Sequence, residues 1–187
     1  MDATHGTTVV LDACVALNLL ATRREVEVVE ALDVNLLLPE RAAREVRYLW
    51  TPEDQDGERH KEPASLERLL GSGRLQICTL DETQPTWLEA FMDVAGRIGD
   101  PDAACLTLAG VRGCPLWTDD FKAGRLAHEL YPGLELDTTL GVLRRASLAL
   151  GWSPTELRQV AFDLYHRGNF DAPRRDRHRQ WYLELLA

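Results

Sequence analysis

Apolar positions along this chain alternate between short unbroken runs and stripes at helical spacing, and that alternation predicts an α/β fold. Residues 7–12, Thr-Thr-Val-Val-Leu-Asp, form a β-branched run of the kind buried on both faces of a parallel sheet. Helices are expected over 13–22 and 25–32, a second strand over 35–38, and then a helix opened by Pro39 that carries Glu45. A short helix at 65–70 precedes a third strand at 75–79, helices at 85–97 and 101–111, and a fourth strand at 115–118. Further helices are expected at 121–129 and 138–150. Ser153-Pro154-Thr155-Glu156 is a capping box with proline at the first helical position, and Leu157, Val160, Ala161 and Leu164 then share one face. The polar, proline-bounded stretch 51–63 reads as an exposed loop. The architecture expected is an α/β/α sandwich with a central, mainly parallel sheet over 1–150, and a helical extension, 151–187, packed on the same domain.

Acids interrupt this pattern where acids are normally avoided. Asp12 ends the first apolar run, Glu45 falls among Ala42, Val46 and Leu49 at helical spacing, Asp102 among Cys105, Leu106 and Ala109, and the pair Asp119-Asp120 follows the fourth strand. Ligand sites in open α/β sheets lie at the carboxyl edge of the strands, where two of these stations fall. Ionised carboxylates converging on one spot repel unless a cation holds them, and an oxygen-only donor set points to Mg²⁺ or Mn²⁺. Each acid also has a structural reading. Asp100-Pro101 is a good helix start with Asp100 as N-cap, Asp102 would favour the helix dipole, Asp119-Asp120 can open the next helix, and Glu45 can pair with Arg41 or Arg44. Asp12 has no evident capping role, so the weight rests on the order of all the stations together.

That order resembles the PIN-domain nucleases, and among them the VapC-like bacterial toxins. The resemblance runs from about residue 7 to 150 and rests on Val10-Leu11-Asp12-Ala13-Cys14-Val15, Pro39 through Glu45-Val46, Gly99-Asp100-Pro101-Asp102-Ala103-Ala104 and Trp117-Thr118-Asp119-Asp120. It implies a catalytic set of Asp12, Glu45, Asp102 and a fourth acid. The Thr-x-Asp spacing from Thr118 selects Asp120, whereas attachment to the strand end favours Asp119, so both stand as metal-ligand candidates. Asp100 is similar to the extra acid of a subgroup with a Gly-acid-x-acid motif, and Thr139-Leu140-Gly141-Val142-Leu143 resembles that subgroup's later segment. The resemblance further implies an endoribonuclease that leaves a 5′-phosphate and a 3′-hydroxyl, an RNA substrate, a small antitoxin partner and homodimerisation. Solitary RNA-processing or defence nucleases and catalytically inactive binding modules share the fold. Ala13 and Cys14 depart from the small hydroxyl or Asn that many members place after the first acid, and Cys14 reads as a packing residue.

Composition narrows the class without changing it. With 187 residues, 45% hydrophobic and 27% charged, the chain suits a single soluble domain. No apolar run approaches the roughly 18 residues of a membrane span, and Met1 to Gly6 carry no basic segment before a long apolar one, so a cytoplasmic protein with no membrane partner is expected. Cys14, Cys78, Cys105 and Cys114 include no Cys-x-x-Cys pair and read as reduced thiols. No histidine lies beside an acidic station, which argues against paired-imidazole catalysis. A haloacid-dehalogenase phosphatase would want a second Asp where Cys14 stands, and the spacing does not suit a receiver domain. Residues 167–179 hold five arginines against two acids in a chain of net charge −9. That patch, with Trp181 and Tyr182, can contact phosphates and bases. A solvated terminal helix with Trp181, Leu185 and Leu186 docked on the body is the preferred reading, because charge runs are commonly solvated faces.

Overall fold

The computed structural model describes residues 6–81 and 83–187; the segment Met1 to His5, read above for targeting signals, lies outside them. The chain begins with β1 (Thr7–Leu11), α1 (Ala13–Ala21), α2 (Glu25–Ala31), β2 (Val34–Pro39) and α3 (Glu40–Ala43). There follow β3 (Tyr48–Trp50), β4 (Lys61–Pro63), α4 (Glu67–Gly71), β5 (Leu75–Cys78), α5 (Pro85–Ala95) and α6 (Asp100–Arg112). The remainder is β6 (Leu116–Trp117), α7 (Phe121–Leu130), β7 (Leu136–Asp137), α8 (Thr139–Leu150), α9 (Pro154–Gly168) and α10 (Arg179–Leu186).

Five strands form one parallel sheet in the order β5-β2-β1-β6-β7, with β1 in the middle. Helix α6 lies along β1, β2 and β6 and carries α3, α5 and α7 with it. A second group, α1, α2 and α8, covers the other face, with α9 on α1 and α10 on α9. The α/β/α arrangement expected from the apolar runs is therefore present. Because the sheet is covered on both faces, β1 and β2 need no polar alternation: Val10, Leu11, Leu36 and Leu38 are all buried. Each such side chain contributes about 1.5–3 kcal/mol over an exposed one. Helix α6 owes its close seat to small residues. A Cβ at Gly110 would lie 2.3 Å from the Tyr131 ring, so the ring packs directly on the helix backbone.

Two expectations are corrected here. The helix opened by Pro39 stops after a single turn, so Glu45 sits in a turn beyond α3 rather than inside a helix, and it is exposed rather than set on a buried stripe. Residues 48–50 leave that turn as a strand. Likewise, the stretch 51–63 is not all loop, since Lys61–Pro63 pairs antiparallel with Tyr48–Trp50. Neither strand was read from the sequence, where Leu49 was assigned to the helical stripe of Glu45, and nothing in the side chains of Lys-Glu-Pro favours a pleated surface. The hairpin is fixed from outside: Arg167 of α9 is buried, donates to the Ala21 carbonyl at 3.0 Å and pairs with Glu62 at 2.5 Å. Arg59 donates to the His166 carbonyl and to Asn169 Oδ1.

The carboxyl-terminal reading divides. Tyr182 is buried, 5.5 Å from the Phe170 ring, and so is not a surface for stacking bases. Trp181 is half-buried, whereas Leu186 is exposed rather than docked. Arg167 belongs to the interior; Arg174, Arg175 and Arg177 remain exposed. All four cysteines are free thiols. No helix among the described residues is long and apolar enough to cross a membrane.

Candidate metal centre

The site is built on the register of the two central strands. Leu11 of β1 lies opposite Trp117 of β6, so the next residues, Asp12 and Thr118, emerge side by side at the carboxyl edge. The Asp12 amide donates to the Trp117 carbonyl at 3.1 Å, and Asp12 is only 3% exposed. Its carboxylate is solvated by the protein: Oδ1 accepts from the Ala13 amide at 2.6 Å, and Oδ2 accepts from the Thr118 hydroxyl at 2.7 Å and the Cys14 thiol at 3.1 Å. Asp12 is thus also the N-cap of α1, contrary to the expectation that capping had no part in its placement.

Thr118 faces the next acid as well, accepting the Asp120 amide at 3.0 Å. Asp120 caps α7 through Oδ1, which accepts from Ala123 at 2.7 Å. Asp119 is used differently. Its Oδ1 accepts from the Thr139 amide at 2.8 Å, and its Oδ2 accepts from the Thr139 hydroxyl at 2.6 Å and from Asn18 Nδ2 at 2.9 Å. Both oxygens are engaged by α1 and α8, so Asp119 ties three elements together beneath the site. Burial pushes its carboxyl up, against the opposing hydrogen bonds from Thr139 and Asn18.

Asp102 is half-buried in the first turn of α6, whose N-cap is Gly99 rather than Asp100. A helix start ordinarily favours an ionised acid. Here burial, and then the charges of Asp12, Asp120 and Glu45, outweigh that preference and push the Asp102 carboxyl up to about 6. Asp12, Glu45, Asp102, Asp119 and Asp120 line one cavity of about 250 Å³ together with Cys14. Burial, followed by the charges of Asp12 and Asp119, pushes the Cys14 thiol far up, so Cys14 is a neutral donor to Asp12 rather than a nucleophile or a simple packing residue. Asp100 stands apart. It pairs with Arg41 at 3.2 Å and lines a separate cavity with Arg44 and Asp81.

Among the described residues, no three carboxylate, imidazole or thiol side chains are placed so as to hold a metal ion together. The donor chemistry nevertheless fits a hard divalent cation, because the like-charge crowding that raises Asp102 is relieved by a cation between the acids. Sequence reasoning missed the brace formed by Asn18 and Thr139. A signal existed at Asn18, an amide in the otherwise apolar run 13–21.

No protein-family model matches the chain, and no curated protein matches it. Among solved structures it is similar to VapBC2 from Rickettsia felis bound to a DNA fragment from their promoter, with 11% sequence identity and a TM-score of 0.40, covering 71% of this chain and 98% of that one. At that distance the likeness has no bearing on activity, which is inferred from the pocket itself.

Proposed function

We propose that this chain is a Mg²⁺- or Mn²⁺-dependent endoribonuclease that hydrolyses RNA phosphodiester bonds. The observation that carries the reading is the convergence of Asp12, Glu45, Asp102 and Asp120 on one cavity at the carboxyl edge of the central strands, crowded enough to push Asp102 up to about 6. The order of these acids, which resembles that of the PIN-domain nucleases, supports it.

Asp12, Asp102 and Asp120 would hold the ion, with Glu45 closing the set from the exposed turn. A divalent ion there supplies an activated water and neutralises charge developing on the phosphate. Asp12 is held in one orientation by Thr118 and by the Ala13 amide, so it does not have to be ordered when substrate arrives. Asp102 would bind the ion as the carboxylate, and the cation would offset the charges that raise it. Asp119 keeps the β6 edge in place through Asn18 and Thr139. An acidic pocket repels phosphate until a cation reverses the local field, which reconciles a net charge of −9 with a polyanionic substrate. A role as the toxin of a type II toxin-antitoxin pair, with a small antitoxin over this pocket, is the biological setting that the sequence resemblance supports.

The test is cleavage of labelled tRNA, rRNA fragments and single-stranded DNA in Mn²⁺, Mg²⁺ or EDTA by wild type, Asp12→Asn and Asp102→Asn. RNA cutting that needs metal and is lost in both variants supports the reading. Folded wild-type protein that binds neither metal overturns it.

A further inference from the structure

Beside the carboxylate cavity lies a second one, of about 280 Å³, and the two share Asp119 and Asp120 as a common wall. Its chemistry is different. Phe121, Leu136 and Pro173 supply apolar lining, and Arg175 and Arg177 reach it from the segment between α9 and α10. Phe121 directly follows the acid that caps α7, yet it is 51% exposed. Its ring faces guanidinium groups: Arg175 at 4.7 Å and Arg125 at 5.8 Å from the ring centre. The segment bearing Arg175 is anchored, since Asp176 accepts from the Thr138 hydroxyl at 2.6 Å and from the His178 amide at 2.6 Å. Gly124 keeps the cavity open. A Cβ there would meet only Leu136, at 3.9 Å.

We infer that this cavity is a nucleobase subsite, in which an unpaired base next to the scissile phosphate stacks against Phe121 and Arg175. The inference rests on the nuclease reading for its placement, because the shared wall sets the base next to the phosphate over the acids. A flat apolar ring beside arginine planes binds any base through its π face, while a base held in a duplex is already stacked and cannot enter. The substrate class is therefore single-stranded or looped RNA. The basic carboxyl-terminal stretch contributes through Arg175 and Arg177, whereas Arg167 and Tyr182 of the same stretch are interior residues.

The experiment is fluorescence anisotropy in Ca²⁺, which an oxygen-donor pocket also accepts, with a short labelled phosphorothioate-linked RNA single strand and with the same strand in a perfect duplex. Wild type is compared with Phe121→Ala, Phe121→Trp, Gly124→Leu and Arg158→Ala, the last removing an exposed arginine of α9 as a charge control. Wild type is expected to prefer the single strand. Phe121→Ala and Gly124→Leu should weaken that binding about tenfold or more, Phe121→Trp should restore it, and Arg158→Ala should leave it unchanged. Equal binding of strand and duplex, or wild-type affinity in both Phe121→Ala and Gly124→Leu, overturns the subsite. Hydrolysis of bis(p-nitrophenyl) phosphate by wild type in Mn²⁺ reports separately on the carboxylates, because that diester has no base. Its absence with Phe121-dependent RNA binding would remove the nuclease reading and leave the subsite standing.

Discussion

The Thr118 hydroxyl donates to Asp12 Oδ2 at 2.7 Å and, on the same oxygen, accepts the Asp120 amide at 3.0 Å. One side chain therefore sets the spacing between the acid at the end of β1 and the acid after β6. Thr118 orients Asp12 directly and supports the turn into α7 through the Asp120 amide.

Replacing Thr118 by valine keeps the shape and removes the hydroxyl. The buried Asp12 carboxylate then loses a donor, which should cost about 1–3 kcal/mol of stability. Because ligand orientation is lost too, Mn²⁺ affinity should fall about 10- to 100-fold. Urea unfolding and isothermal titration read the two effects; a variant with lower stability but unchanged metal affinity would show that Thr118 only supports the fold.

Asp119 and Asp120 should separate by their failures. Asp119→Ala removes the acceptor of the Thr139 amide and hydroxyl and one of the two acceptors of Asn18 Nδ2, and a loss of about 2–4 kcal/mol is expected, the sum of several such groups. Asp120→Ala costs about 1 kcal/mol as a lost N-cap but should abolish metal-dependent cleavage. Thermal melts and cleavage assays on both variants decide the assignment, and it reverses if Asp119→Ala folds stably and is inactive while Asp120→Ala cuts RNA.

The layers, the parallel sheet and the strand-end acids were legible because apolar runs flanked by turn residues survive any detail of packing. Asp12 could be placed to the residue. What escaped were features decided by tertiary contacts: the one-turn α3, the β3–β4 hairpin and the exposed position of Glu45. Helical spacing from Ala42 to Leu49 misled because Leu49 is buried as a strand residue against the body, not as the next turn of a helix. Asp119 was ambiguous for a similar reason, since its partners Asn18 and Thr139 are 101 and 20 residues away.

A pH dependence follows from Asp102. Its carboxyl is held up to about 6 in the fold, against about 3.9 in an unfolded chain. Between those values the folded state binds more protons. This group's contribution is therefore fully present below about pH 4 and is lost as pH rises through about 6. In EDTA, the thermal midpoint of Asp102→Asn should exceed that of wild type at neutral pH, and the gap should narrow toward pH 4. Mn²⁺ should raise the wild-type midpoint, and its binding should release a proton near pH 5 but scarcely any above pH 7. Parallel pH profiles for the two proteins would discard the crowded-acid account.

Arg167 joins Glu62 of β4 to the carbonyl that ends α1. Arg167→Met should cost about 1.5–3 kcal/mol, as expected for hydrogen bonds to a charged group. Limited proteolysis should then cut first within 51–60, earlier than in wild type. Unchanged cleavage there would mean that Arg59 alone secures the hairpin.

Since β1 is the middle strand, the acid that follows it is expected among the best protected positions of the fold. The Val10 amide donates to the Pro115 carbonyl and the Asp12 amide to that of Trp117, within a strand flanked on both sides and covered on both faces. Amide hydrogens in such a position exchange with solvent only when the whole domain opens. The anchor of the pocket thus has no melted state of its own. Glu45, on its exposed turn, lies outside that protected frame, so the cavity joins an acid whose position is tied to the whole fold to one held only by a local turn.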